Sequence, residues 1–154
     1  MWQVNRILVS TDFSASANAA LDAAIELARK FGATIVLMHA YGVPSHVYPE
    51  LEGPATADYM ATLEQAARKA LQNSAVSRKD AAVPIATALY CGSVWEQVLL
   101  AIEQHGVGLV VMGTHGRRGV AHVLLGSVAE KVVRLSTVPV LTVRGPAGDQ
   151  RAGR

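Results

Sequence analysis

The stretch L109-V-V-M-G-T-H-G-R-R-G-V-A-H-V-L-L-G-S-V-A-E-K-V-V-R134 decides how the rest of the chain is read. Its apolar run, residues 109–112, breaks at Gly113 into a glycine-rich loop, and helical spacing resumes from Ser127. α/β proteins build a phosphate cradle this way. Backbone N–H groups can approach an anion where no Cβ intervenes, and a helix N-terminus adds partial positive charge. The spacing is Gly113-x2-Gly116-x9-Gly126-Ser127. It is not a Walker A loop, because no Gly-Lys-Ser/Thr ends it. It is not the dinucleotide fingerprint either, because the glycine spacing and the following acidic residue are both wrong.

Outward from that stretch the chain alternates short apolar runs with amphipathic segments. Arg6-Ile7-Leu8-Val9-Ser10 is continuously apolar at its centre, as in a strand buried on both faces of a parallel sheet. Ser14 or Ser16 can cap the helix that follows. Ala17, Leu21, Ala24, Ile25, Ala28 and Phe31 form its inward stripe, and Gly32 stops it. Thr34-Ile35-Val36-Leu37-Met38 is the second strand, with His39 and Ala40 at its C-terminal end. Residues 41–55 carry three prolines and two glycines and read as a long loop of the kind often given to function. A helix is expected over 56–75, with Met60, Leu63, Ala67, Ala70 and Leu71 inward, and a third strand over 84–89. Cys91-Gly92 is the turn after it. Ser93 and Glu96 form a capping box before a helix that buries Trp95, Leu99 and Ile102. Ser127 and Glu130 form a second one, with Ser127 as the cap. The fifth strand begins at Val138 and ends at Val143.

This order implies one α/β domain over 1–145 and a polar tail, 146–154, expected to be disordered. Ligands of such sheets bind outside the carboxyl ends of the strands, where the strand order reverses. That rim collects Asp12, Ala40 and the segment from Gly113 to Ser127. The net charge of +2, without a basic stripe, argues against nucleic acid. No apolar run approaches a membrane span or a signal peptide, and the single cysteine, Cys91, excludes an internal disulfide. Together these make a cytoplasmic location the expectation. Cys91 has no basic neighbour in sequence and reads as a small packed residue. His39, His46, His105, His115 and His122 show no metal-ligand spacing.

These residues closely resemble the universal stress protein family. The resemblance runs from about Val4 to Val143. It is carried by Thr11-Asp12-Phe13-Ser14, by Gly113-Thr114-His115-Gly116-Arg117-Arg118-Gly119, by Leu124-Leu125-Gly126-Ser127 with its following helix, and by the last strand. Within that family the G-x2-G-x9-G-S/T pattern marks the ATP-binding branch. The resemblance implies a five-stranded parallel sheet in the order 3-2-1-4-5 with helices on both faces, an adenine nucleotide alpha hydrolase-like fold. It also implies a homodimer through the last strand, and an ATP site. Asp12 would face the ribose or base, Ala40 would meet adenine through its backbone, and Met112 and Gly113 would contact base and ribose. The loop from Gly116 and the Gly126-Ser127-Val128 turn would hold the phosphates. His115, Arg117 and Gly119 would lie on the phosphate side. Mg²⁺ enters only as a companion of the triphosphate. Ala121 and His122 stand where the family is frequently basic.

Three functions compete. One is a nucleotide-binding stress-response regulator that presents a conformation to an unidentified partner. The second is a slow ATPase or a phosphoryl or adenylyl transferase. The third is a nucleotide-free dimeric interaction module. The glycine pattern disfavours the third. The second lacks a general base, since only His115 and His122 lie near the phosphates.

Overall fold

The computed structural model describes residues 1–42, 54–115 and 125–146. Five strands form one all-parallel sheet: β1 (Arg6–Ser10), β2 (Thr34–Tyr41), β3 (Ile85–Cys91), β4 (Leu109–Gly113) and β5 (Val140–Val143). They lie in the order β3-β2-β1-β4-β5. The connecting helices are α1 (Ala15–Phe31), α2 (Pro54–Val76), α3 (Val94–His105) and α4 (Ser127–Leu135), with a 3-10 turn at Lys79–Ala81.

The expected fold and strand order are thus observed, and burial gives the reason. In β1, Ile7, Leu8 and Val9 are all fully buried, as continuous apolarity requires of a strand covered on both faces. Ile7, Val9, Ile35, Leu37, Leu109 and Val111 face α1 and α2, with Leu21, Ala24, Ala28 and Leu71 among their partners. Leu8, Val36, Met38, Val110 and Met112 face the other way, onto Val98, Ala101 and Ile102 of α3 and Ala129 and Val132 of α4. Alternate residues of each central strand therefore feed two separate cores.

Several local expectations are corrected. Phe31 is 47% exposed, because at the last residue of α1 its ring meets Trp2 edge-on at 6.3 Å. In α2 the deeply buried residues are Ala67 and Leu71, while Met60, Leu63 and Ala70 are only partly covered. Ser93 holds the N-cap position of α3 but makes no side-chain cap bond. Val98, Ala101 and Ile102 are its buried residues, and Trp95 and Leu99 are half-buried. Lys131 lies over the Trp95 ring at 5.1 Å, so that face meets a cation rather than the core. The cap of α4 is Gly126, not Ser127, which is its exposed first helical residue. Cys91 is a free, exposed thiol at the end of the edge strand β3, not a packed residue. Strand β2 runs on to Tyr41, and of the expected long loop only Gly42 is a described residue outside an element, since α2 begins at Pro54. Most of the expected tail, residues 147–154, lies outside the described residues. Gly32 ends α1 as expected, at φ 66°, with its N–H bonded to Ala28 O.

Candidate functional site

Strand β1 has β2 on one side and β4 on the other, and the chain reaches them by leaving in opposite directions. The crevice between the C-terminal ends of β1 and β4 is therefore the switch point of the sheet. Two corners flank it.

The first corner joins β1 to α1. Thr11 is 5% exposed, its N–H donates to Met38 O at 2.9 Å, and its Oγ1 accepts the Phe13 N–H at 3.0 Å. Asp12 Oδ1 accepts the Ser14 N–H at 3.0 Å, which closes an Asx turn. Ser14, not Ser16, caps α1: its Oγ accepts the Ala17 N–H at 3.2 Å. Ser16 is buried and donates to Val143 O at 3.3 Å, tying the start of α1 to the end of β5. Phe13 lies at φ 65°, one of two described non-glycine residues in the left-handed region. Bulky residues avoid that region, and it persists only where the surroundings over-determine it.

The second corner joins β4 to α4. Thr114 is buried, its N–H donates to Val143 O at 2.9 Å, and its Oγ1 lies 3.0 Å from His115 Nδ1. A Cβ on Gly113 would land against Ser16 Oγ and 3.0 Å from the Ser16 backbone carbon, so this glycine lets α1 pass close above β4. The Gly126 N–H donates to Thr114 O at 2.7 Å, and a Cβ there would sit 3.0 Å from that oxygen. The first bond of α4 runs from Glu130 N–H to Gly126 O at 2.9 Å. The amides of Ser127, Val128 and Ala129 precede it and have no partner within the helix. They present the positive end of α4 to the crevice.

Asp12, Met112, Gly113, Gly126, Ser127 and Val128 are thus brought to the two corners of one crevice. Ala40 joins them at the end of β2, packed with Met112 and Val128 on the α3/α4 side. Met112 is 5% exposed, with its side chain in the core that α3 and α4 cover. His115 closes the described part of the loop, half-buried beside Thr114. Gly116, Arg117 and Gly119 lie outside the described residues, as does His122. Sequence reasoning missed the structural parts of Thr11, Phe13, Ser16, His39 and Thr114. The polar Thr11 and Thr114 directly after apolar runs were the available signal. A left-handed phenylalanine leaves none.

Further along the rim, Tyr41 hydrogen-bonds Glu64 of α2, and Arg68 bonds Glu64 Oε1 at 2.7 Å. Partial burial, then the charge and hydrogen bond of Glu64, push the Tyr41 phenol above its ordinary value. Arg68 and Tyr41 hold Glu64 below the usual carboxylate range. Among the described residues no group of three His, Cys, Asp or Glu side chains could hold a metal ion, and no helix is long and apolar enough to cross a membrane.

Comparison with known proteins places this geometry. Residues 3–144 match the universal stress protein family. The universal stress protein YxiE of Bacillus subtilis is 31% identical, with 91% of this chain and 99% of that protein covered. The solved structure of MJ0577, a universal stress protein of Methanocaldococcus jannaschii, superposes with a TM-score of 0.81 at 26% identity, covering 95% of this chain and 98% of that one. A universal stress protein solved in complex with cAMP superposes at 0.64 and 25% identity, over 92% of this chain and 98% of that one. By sequence over nearly its whole length, and by a fold that agrees strand for strand with the expected order, the chain belongs to the universal stress protein family.

Proposed function

We propose that this protein binds ATP in the crevice between β1 and β4 and acts as a nucleotide-dependent stress-response regulator. One observation carries the reading: the Asp12 turn and the N-terminal amides of α4, which have no partner within the helix, stand at the C-terminal ends of adjacent parallel strands. A carboxylate suits ribose hydroxyls, and helix amides suit phosphate oxygens. The roles follow. Asp12 takes the ribose, and the Ala40, Met112 and Gly113 backbones take the base and ribose. Ser127 and Val128 take phosphate, with Gly126 admitting the close approach. His115, Gly116, Arg117 and Gly119 complete the phosphate side. Mg²⁺ would ride on the triphosphate, held by its oxygens and water. With no general base assigned, any hydrolysis is slow and incidental.

The same reading makes the protein a homodimer. Strand β5 is a sheet edge, and Leu141 on it is 40% exposed; Val133 and Leu135 of α4, which packs on the other face of the sheet, are 47% exposed each. A second copy would cover that apolar edge. Leu141→Lys should then give monomer in light scattering. An exposed thiol at Cys91 suits the reducing cytoplasm.

The test is thermal unfolding with and without nucleotide, after any tightly held nucleotide has been stripped. Ligand at 100 times its Kd adds about 2.7 kcal/mol, and each kcal/mol moves the midpoint by roughly 2–4 °C at this size. Saturating ATP should therefore raise Tm by roughly 5–11 °C. The cAMP-bound relative supports a second ligand, so AMP and cAMP belong in the same series. A larger shift with cAMP than with ATP would favour a cyclic-nucleotide site. No shift with any of the three would favour the interaction module.

A further inference from the structure

His39 stands at the end of β2, beside the β1–α1 corner. Its Nδ1 lies 2.7 Å from the Thr11 carbonyl oxygen. A carbonyl only accepts, so Nδ1 must carry the proton and donate. The neighbouring Met38 O receives the Thr11 N–H at 2.9 Å. Two consecutive residues of β2 therefore grip both backbone polar groups of Thr11. The His39 ring also lies 4.6 Å from the Phe13 ring, centre to centre. Phe13 is the residue at φ 65°, whose backbone would relax if its surroundings let it. Asp12 sits between these two held residues.

We infer that His39 is a positioning residue for Asp12: as its Nδ1–H tautomer it holds the Thr11 carbonyl and braces Phe13, and so fixes where the Asp12 carboxylate meets the ribose of a bound nucleotide. This rests on the nucleotide-binding reading above. Helix α1 has its own cap in Ser14, and the sheet below is fully paired in register at Ser10 with Met38 and Met112. Neither needs His39. What His39 adds is the position of the two peptides around Asp12.

The experiment measures ATP affinity by calorimetry in the parent, His39→Phe, His39→Asn, Asp12→Ala and the Asp12→Ala/His39→Phe double variant. Phenylalanine keeps a ring against Phe13 and removes the donor. Asparagine keeps a donor where Nδ1 stands. His39→Phe should raise Kd about tenfold, the size of one net hydrogen bond. His39→Asn should recover most of that loss. In the Asp12→Ala background His39→Phe should cost almost nothing, because the group it positions is gone. Equal affinity for parent and His39→Phe, an Asn variant as weak as the Phe one, or the same loss in the Asp12→Ala background would each overturn the positioning role while leaving the nucleotide site standing. A parent that binds no nucleotide would sink the site and the positioning role together. Should His39→Phe fail to fold, the ¹⁵N spectrum of the parent still decides: Nδ1 protonated is the expected tautomer, and a bare Nδ1 overturns the inference.

Discussion

The two corners of the crevice are built from opposite materials. The β1–α1 corner is held by side chains: Thr11 Oγ1, Asp12 Oδ1 and Ser14 Oγ each accept a nearby backbone N–H, and His39 reaches in from β2. The β4–α4 corner is held by backbone and by missing side chains. Gly113 lets α1 pass, Thr114 bonds Val143 O, and the Gly126 N–H bonds Thr114 O. A corner made of side chains should tolerate small losses one bond at a time. A corner made of close backbone approach should tolerate no added volume. The same difference would suit the proposed ligand, whose sugar would meet a placed carboxylate and whose phosphates would meet helix amides.

The largest effect expected is at Gly113. Valine there would drive carbon into Ser16, which is itself buried and bonded to Val143 O, so neither neighbour can yield cheaply. Overpacking of this kind costs about 1–3 kcal/mol, and chemical denaturation should read that loss without any ligand. Gly126→Ala should cost less. Its Cβ meets only one atom closely, at 3.0 Å, and its φ of −68° suits any residue. A fold indifferent to Gly113→Val would mean that α1 can shift, and the contrast between the corners would fail.

Next come the three serines near helix starts. Ser14→Ala removes an observed cap bond and should cost about 1 kcal/mol. Ser93→Ala and Ser127→Ala should cost much less, since no cap bond is observed from Ser93 and Ser127 lies inside its helix. Equal costs at all three would put real capping boxes back at α3 and α4.

This is also where the sequence was and was not legible. The alternation of strands and helices, the inner stripe of α1 up to Ala28 and the stop at Gly32 follow from apolar periodicity and from one residue that tolerates φ 66°, while the sheet order follows from the family resemblance. Ser93 takes its expected cap position without the capping bond and Ser127 does not take it at all, because Ser-x-x-Glu spacing does not say whether the hydroxyl turns toward the helix. Gly126, lacking any side chain, took the cap position instead. Asp12 was legible as a rim residue from its place after β1. Its support was not: His39 is distant in sequence, and Phe13 adopts its backbone only because tertiary contacts hold it. Gly113 was legible as a glycine but not as the seat of Ser16, which is a contact between different elements.

The smallest effect lies at the end of β2, outside both corners. Partial burial first, and then Glu64, keep Tyr41 neutral to higher pH than usual, so Glu64→Gln should lower the Tyr41 midpoint part of the way in an ultraviolet absorbance titration. The signs are opposite for the pair. Tyr41, raised when folded, contributes stability that is present below the ordinary tyrosine range and lost as pH rises through the folded midpoint. Glu64, lowered when folded, contributes stability present above the ordinary carboxylate range and lost as pH falls through its folded midpoint. ATP affinity should be unchanged in Glu64→Gln. A loss there would extend the site along the rim beyond Ala40.

The most direct measurement is a map of backbone amide shifts on titration with ATP. The account predicts that Asp12, Ala40, Gly113, Ser127 and Val128 move together along one binding curve. Between α1 and the turn after α2 lies an open groove lined by Asp22, Arg29, Arg78 and Asp80, whose amides should stay still. Shifts confined to that groove, with both corners of the crevice unmoved at saturation, would contradict it.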